Sequence, residues 1–332
     1  MSSVLAIVGF LVSLAITLLA ASVFANRLDH LGHRLGMPEA LLGLLTAWAA
    51  DAPELSSAIV ALVEGAHDVG VGVVVGSNAF NLAAMVGASA LVTGSVSLRR
   101  EALVLEGAVA VGALVIAGAV ILDRLPPAAG VVLLALLLGP YFAILVVGPH
   151  ELDRFPLPAR TTRLLKRTLG ETHREPPARH PAEETWAPLL LTVPALGAII
   201  GGSTGMVRAA LFLADRWGVP RVLVGTLVLS ILTSLPNAYT GMRLGLAGRG
   251  TALISETLNS NTINLVGGAA VPAVFVGLSS LSGSVVFEVL WLLGMTVVSL
   301  ALLGRRGGAG RAGGAVILAL YAVFVAVETL RA

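Results

Sequence analysis

Two carboxylates three residues apart, Asp51 and Glu54, lie inside the apolar run LLTAWAADAPELSSAIVAL. A charged group at such depth costs several kcal/mol, so it is expected to face a cavity or a partner. A spacing of three puts both on one helical face. Pro53 between them has no N–H, so the carbonyl of Ala49 loses its helical partner. Carboxylates beside a freed carbonyl make a hard-oxygen cluster, suited to Na⁺, Ca²⁺, Mg²⁺ or protons rather than to soft metals.

A second apolar run carries oxygens without charge. Ser230, Thr233, Ser234 and Asn237 follow the i, i+3, i+4, i+7 pattern of a single stripe, and Pro236 frees the carbonyl of Leu232. Taken alone, such a stripe reads as glue between membrane helices. Two further pairs at i, i+4, Ser77 with Asn81 and Ser260 with Asn264, could complete a coordination shell with neutral oxygens.

One constant shift of 183 residues relates these patches. It sets Pro53-Glu54 on Pro236-Asn237, Ser57 on Thr240, and Gly76-Ser77-Asn78-Ala79-Phe80-Asn81 on Asn259-Ser260-Asn261-Thr262-Ile263-Asn264. The shift turns two separate polar patches into one repeated device.

The elements that must position them are membrane spans. Of 332 residues only 12% are charged, and the mean hydropathy is +0.92. The apolar blocks are roughly twenty residues long, enough to cross a ~30 Å hydrocarbon core as helix. Ten spans are expected, at 3–25, 38–64, 70–93, 102–122, 127–147, 187–213, 219–246, 252–277, 284–304 and 313–330. The first lacks a basic flank and is read as a retained helix rather than a signal peptide. The charged, Pro-rich stretch 148–186 divides the chain into a first five-helix repeat, 1–147, a solvated linker, and a second repeat, 187–332. Five is odd, so the second repeat enters the bilayer inverted.

With the N-terminus outside, the cytoplasmic segments hold 16 of 21 basic residues, or nine against five without the linker. The expected setting is a bacterial inner membrane, crossed many times. The balance of basic residues therefore speaks of orientation, not of nucleic acid. There are no cysteines, which excludes disulfides and thiolate sites. No P-loop, Ser/His/Asp constellation or His-rich metal spacing is found, so no organic cofactor is expected and the driving energy should be an ion gradient.

Remaining groups read blandly. Glu64, His67, Asp68 and Glu256 fall at span ends, where they could line an ion entrance. Glu106 and Glu288, 182 apart, could be proton-accessible groups but read first as water-facing helix ends, and Arg208 reads as a snorkelling side chain. Arg208 is also the one basic group placed to neutralise Asp51 and Glu54 structurally.

These residues resemble the Ca²⁺/cation antiporter superfamily, which includes Na⁺/Ca²⁺ and H⁺/Ca²⁺ exchangers. Its members carry two α-repeats, each with a Gly-Thr-Ser-x-Pro-Glu-like motif followed by a Gly-Ser-Asn-x-x-Asn/Asp-like motif. The first repeat here reads Ala49-Ala50-Asp51-Ala52-Pro53-Glu54, then Gly76-Ser77-Asn78-Ala79-Phe80-Asn81. The second reads Leu232-Thr233-Ser234-Leu235-Pro236-Asn237, then Asn259-Ser260-Asn261-Thr262-Ile263-Asn264. Asp68 also stands where the family often has an acidic residue. The resemblance extends over the whole chain, with the second repeat degenerate.

What the resemblance implies is an all-α integral membrane fold of ten transmembrane helices in two inverted five-helix repeats, exchanging Ca²⁺ for Na⁺ or H⁺ at the bilayer midplane. Glu54 would be the central ligand and ion switch, and Asp51 would supply the second charge. Thr233, Ser234, Asn237, Ser77, Asn81, Ser260 and Asn264 would supply neutral oxygens. Spans one and six would move against the rest. The departures are that Asn237 replaces the usual second glutamate, Asn264 stands where sodium-coupled members often have aspartate, and Ala50-Asp51 replaces Thr-Ser. Both carboxylates thus come from one helix. The lost charge of position 237 is expected to have moved to Asp51. Other readings are a proton-coupled exchanger of K⁺ or Mg²⁺, a non-transporting sensor or partner subunit, and an intramembrane acid–base enzyme.

Overall fold

The computed structural model describes residues 2–34, 47–97, 100–147, 190–278 and 283–331. Its architecture is all-helical apart from one two-residue bridge. The first half contains α1 (Ser3–Arg34), α2 (Ala52–Val63), α3 (His67–Asn81, carried on by Leu82–Ala88 and Ser89–Thr93), α4 (Arg100–Ile121) and α5 (Pro127–Val147). The second contains α6 (Thr192–Trp217), α7 (Arg221–Leu223, Val224–Leu229 and Ser230–Thr233) and α8 (Leu235–Leu246). It continues with α9 (Gly250–Leu265, then Val266–Ala270 and Val271–Val276), α10 (Ser284–Leu303) and α11 (Arg311–Arg331). Strands β1 (Ser95–Val96) and β2 (Ala309–Gly310) pair antiparallel and tie the end of α3 to the start of α11.

Six helices among the described residues are long and apolar enough to cross a membrane, or seven when α7 and α8, bent by 48° at their junction, count as one span. The surface is inside-out relative to a water-soluble domain. Phe275 is 82% exposed, and Val4, Leu11 and Val193 also face outward, while Asp51, Glu54 and five asparagines of the repeated motifs are buried. That distribution suits a hydrocarbon solvent, which rewards apolar exposure and forces polar groups inward.

Two expectations need correcting. α1 runs past the expected end of the first span at residue 25 and continues to Arg34, so Arg27 and Arg34 lie on the helix. Glu288 is not water-facing but fully buried, whereas Glu106 is half-buried with one carboxylate oxygen sealed. The linker expected at 148–186 lies outside the described residues, as do 38–46 of the expected second span.

The 183-residue shift is written into the backbone. Asp51 and Ser234, which it relates, are the N-caps of α2 and α8, with nearly equal dihedrals of φ −79°, ψ −4° and φ −86°, ψ −1°. Each interrupts a span just before the motif proline, where proline is tolerated because first-turn N–H groups have no helical partner. Gly65 and Gly248 take φ 77° and 71°, closing α2 and α8 at matching points. Here a left-handed residue is needed and glycine adopts it without a Cβ clash. α3 and α9 then start at His67 and Gly250, again 183 apart.

The two motif helices meet in a reciprocal contact. Asn78 Nδ2 donates to the Asn261 carbonyl at 2.9 Å, and Asn261 Nδ2 donates to the Asn78 carbonyl at 3.1 Å. Asn78→Ala should therefore leave the Asn261 carbonyl one partner short in a dry interior and cost about 1–3 kcal/mol. Thermal unfolding in detergent checks this; an unchanged midpoint would show that the contact contributes nothing.

α3 is the central helix. It packs on α2, α7, α9, α10 and, through its last turns, α11. Close approach of α3 to α7 depends on Gly76, where any Cβ would run into the Thr226 backbone carbonyl and come within 2.7 Å of Ser230 Oγ. Small residues let membrane helices approach in this way. α1 lies along α6 as a separate pair on the flank, with Gly202 of α6 fitted against Ser13 and Thr17.

Candidate functional site

The breaks at Asp51 and Ser234 turn the two half-helix starts toward one buried point between α3 and α9. Asp51 and Glu54 are 1% and 2% exposed. Asn237 of α8 bridges them: its Nδ2 donates to Asp51 Oδ1 at 2.8 Å and to Glu54 Oε1 at 3.0 Å. Ser260 of α9 donates to the same Asp51 Oδ1 at 2.7 Å. Asn264, one turn on, donates from Nδ2 to Glu54 Oε2. From α3, Asn81 Nδ2 contacts Ser260 Oγ and Asn261 Oδ1, each at 3.3 Å.

Four helices thus converge on two carboxylates, and most of the expected residues belong to one network. Ser234 lies within electrostatic reach of Glu54, though its hydroxyl forms no well-aligned hydrogen bond. Ser77 is fully buried on α3, its hydroxyl without a partner. Thr233 differs from the rest. Its hydroxyl donates to the Leu229 carbonyl at 2.8 Å, so the proton is spent on its own helix. Arg208 does not neutralise the pair. It reaches Glu64 instead, with a closest N–O distance of 2.6 Å, and its side chain is 66% exposed.

Five oxygens of the expected residues have no hydrogen-bond partner: Asp51 Oδ2, Ser77 Oγ, Asn81 Oδ1, Ser234 Oγ and Asn264 Oδ1. Buried polar atoms are ordinarily paired, so five orphans among the side chains of one neighbourhood require an explanation. A hard cation supplies one, because it takes six or more oxygens and tolerates neutral ones. Among the described residues no cluster of three or more His, Asp or Glu forms that could hold a metal. The donor set is therefore two carboxylates plus hydroxyl and amide oxygens. Asn237 and Asn264 turn N–H groups to the carboxylates here; a half-turn of either amide would present oxygen instead.

The family model for the sodium/calcium exchanger protein matches residues 5–147 and 187–330, both halves of the chain. The chain belongs to the sodium/calcium exchanger family. It is a multi-pass membrane protein like its relatives. The relative named as the antiporter CaxA, from Alkalimonas amylolytica, is 26% identical over 265 residues, covering 77% of this chain and 76% of its own. The sodium/calcium exchanger MaX1 of Methanosarcina acetivorans is 24% identical over 130 residues, 39% of this chain and 37% of that protein. Among solved structures, the H⁺/Ca²⁺ exchanger CAX superposes with a TM-score of 0.72 at 15% identity, covering 96% of this chain and 81% of that one. The sodium-calcium exchanger NCX_Mj gives a TM-score of 0.60 at 18% identity, covering 98% and 99%. At these identities the likeness speaks for the fold.

Several contacts escaped the sequence reading. The Asn78–Asn261 cross-bond could have been found, since the shift pairs the two residues. Tyr141 of α5 donates to Asn259 Oδ1 at 3.1 Å, and Ser255 of α9 to Glu106 Oε1 at 2.8 Å. Neither has a periodic signal, because each joins helices far apart in the chain. Thr226 donates to Glu288 at 3.0 Å, and Glu328 of α11 is buried with both oxygens unpartnered. A glutamate within a strongly apolar helix was the available clue.

Proposed function

We propose that the chain is a secondary active cation antiporter that exchanges Ca²⁺ for Na⁺ or H⁺ at the Asp51–Glu54 site. The observation that carries the proposal is the set of four unpartnered buried hydroxyl and amide oxygens, with the unpartnered Asp51 Oδ2, accompanying two buried carboxylates joined by Asn237. Two negative charges balance one divalent ion, two monovalent ions or two protons. Cation and counter-ion can therefore compete for the same oxygens, as exchange requires. The names of the relatives, CaxA antiporter and sodium/calcium exchanger, support the same reading.

In this proposal Glu54 is the central ligand. Asp51 carries the charge that Asn237 lacks, an idea supported by the 2.8 Å contact between the two side chains. Ser77, Asn81, Ser234, Asn237, Ser260 and Asn264 contribute neutral oxygens, and Thr233 a lone pair. Ten spans in two inverted repeats, joined by the 148–186 linker with the N-terminus outside a bacterial inner membrane, fit the matched half-helix breaks and the basic-residue bias. The α1–α6 pair on the flank is the element free to slide past the site.

The test is ⁴⁵Ca²⁺ uptake into proteoliposomes, first under an outward Na⁺ gradient and then under an outward H⁺ gradient. Uptake under one of them establishes calcium exchange and names the coupling ion. Silence under both overturns the calcium assignment.

A further inference from the structure

A second group of buried acids lies away from the Asp51–Glu54 site. Glu288 of α10 and Glu328 of α11 are 0% and 1% exposed. Of their four oxygens, one accepts the Thr226 hydroxyl at 3.0 Å; the other three have no partner. Glu288 lies within electrostatic range of Glu328 and of Asp68 on α3. Asp68 in turn lines a polar cavity of about 120 Å³ with His67 and Arg221, where α3 and α7 begin.

The charges facing this pair do not balance. From α11, Arg331 faces Glu328, with its guanidinium carbon 4.7 Å from the Phe287 ring centre. From α3 comes Asp68, another acid. From α7 comes the neutral Thr226 hydroxyl. α4 meets α10 through glycines, Gly107 against Leu300 and Gly118 against Val289. Glu288 and Glu328 thus face one guanidinium, that of Arg331, while Asp68 shares its cavity with His67 and Arg221. Two neighbouring buried carboxylates cannot both stay ionised in a low-dielectric setting without a further positive charge. A metal ion would need a shell of six or more oxygens. The pair offers four and one hydroxyl, and no metal-holding cluster of acids forms among the described residues. A proton needs only one oxygen.

We propose that Glu288 and Glu328 form a proton-binding site separate from the Asp51–Glu54 cluster, loaded through the His67–Asp68–Arg221 cavity. It gives pH a second point of action, apart from any competition between protons and the carried cation. It does not depend on which ion is exchanged.

The experiment is pH-difference infrared spectroscopy of the purified chain in lipid, in H₂O and D₂O, on an Asp51→Asn/Glu54→Gln background that silences the other pair. A protonated-carboxyl carbonyl band, sensitive to deuteration, is expected at neutral pH. It should vanish in Glu288→Gln and vanish or shift in Glu328→Gln. A band from Glu106 would persist in both and cancel. A spectrum untouched by both substitutions overturns the proposal. So does a band that Ca²⁺ or Na⁺ removes at constant pH, which would mark a metal site. If the glutamine variants do not fold, Thr226→Val removes the hydroxyl bonded to Glu288. The band should then shift in frequency, and an unmoved band is again fatal.

Discussion

Glu54→Gln is expected to abolish calcium uptake while leaving the protein folded. The substitution keeps the size of the side chain and removes a charge whose burial is itself costly. The cation-free protein should therefore melt no lower than the parent. The cation-bound protein should differ sharply. A ligand at a hundred times its Kd stabilises by about 2.7 kcal/mol. Removing a ligating charge weakens hard-cation binding by at least about tenfold, since charge count sets affinity in oxygen sites. The same cation concentration then returns no more than about 1.4 kcal/mol. Thermal shift with and without Ca²⁺ reads both numbers on one sample. Asp51 provides the internal comparison. If it carries the charge absent at Asn237, Asp51→Ser should cost as much as Glu54→Gln. Full transport in Asp51→Ser alongside none in Glu54→Gln would refute the relocation. A cation-dependent shift that survives in both variants would place the binding site elsewhere. No shift with any cation in the parent would favour a scaffold that no longer transports.

The second large effect comes from a residue with no side chain. Gly76 lets the α3 backbone touch the α7 backbone at Thr226. A valine there would push the two helices apart. Overpacking in a well-packed core costs about 1–3 kcal/mol and more when backbone must move. The displacement would also carry Asn81 away from Ser260 and Asn261. Gly76→Val should thus lose uptake and stability together. Gly197→Ala is the control, since nothing lies within 4 Å of a Cβ at that position of α6. It should hold the stability or raise it by about 0.5–1 kcal/mol through helix propensity alone. If Gly76→Val melted like the parent, the close approach would not matter to the fold.

The site was legible in the sequence for a specific reason. Charged and amide residues stand out in apolar runs, and a duplicated device repeats its signal at a fixed distance. Asp51, Glu54, Asn237, Ser260 and Asn264 were found this way, and all five share one hydrogen-bond network. What the pattern could not show was where a helix breaks. Asp51 and Glu54 look like one face of a continuous helix. In the structure Asp51 is a cap and Glu54 lies in the first turn after it. Nor could the pattern show whether a hydroxyl points out of its own helix, which is why Thr233 reads like Ser234 but bonds to Leu229. Glu288 was misjudged because nearness to a helix end in sequence is not nearness to water. The packing of α3 and α11 around it decides that.

The reciprocal bond between Asn78 and Asn261 bears on how such a chain can drift after duplication. The site positions also meet across the halves, Asn237 with Asp51 and Glu54, but side chain to side chain, so a change at 237 can be answered by a side chain of the other copy. Asn78 and Asn261 have no such freedom. Each is satisfied by the backbone of its own duplicate, so a change in either is felt at once by the other half. The two copies are expected to diverge at the edges of the device first and at its seam last.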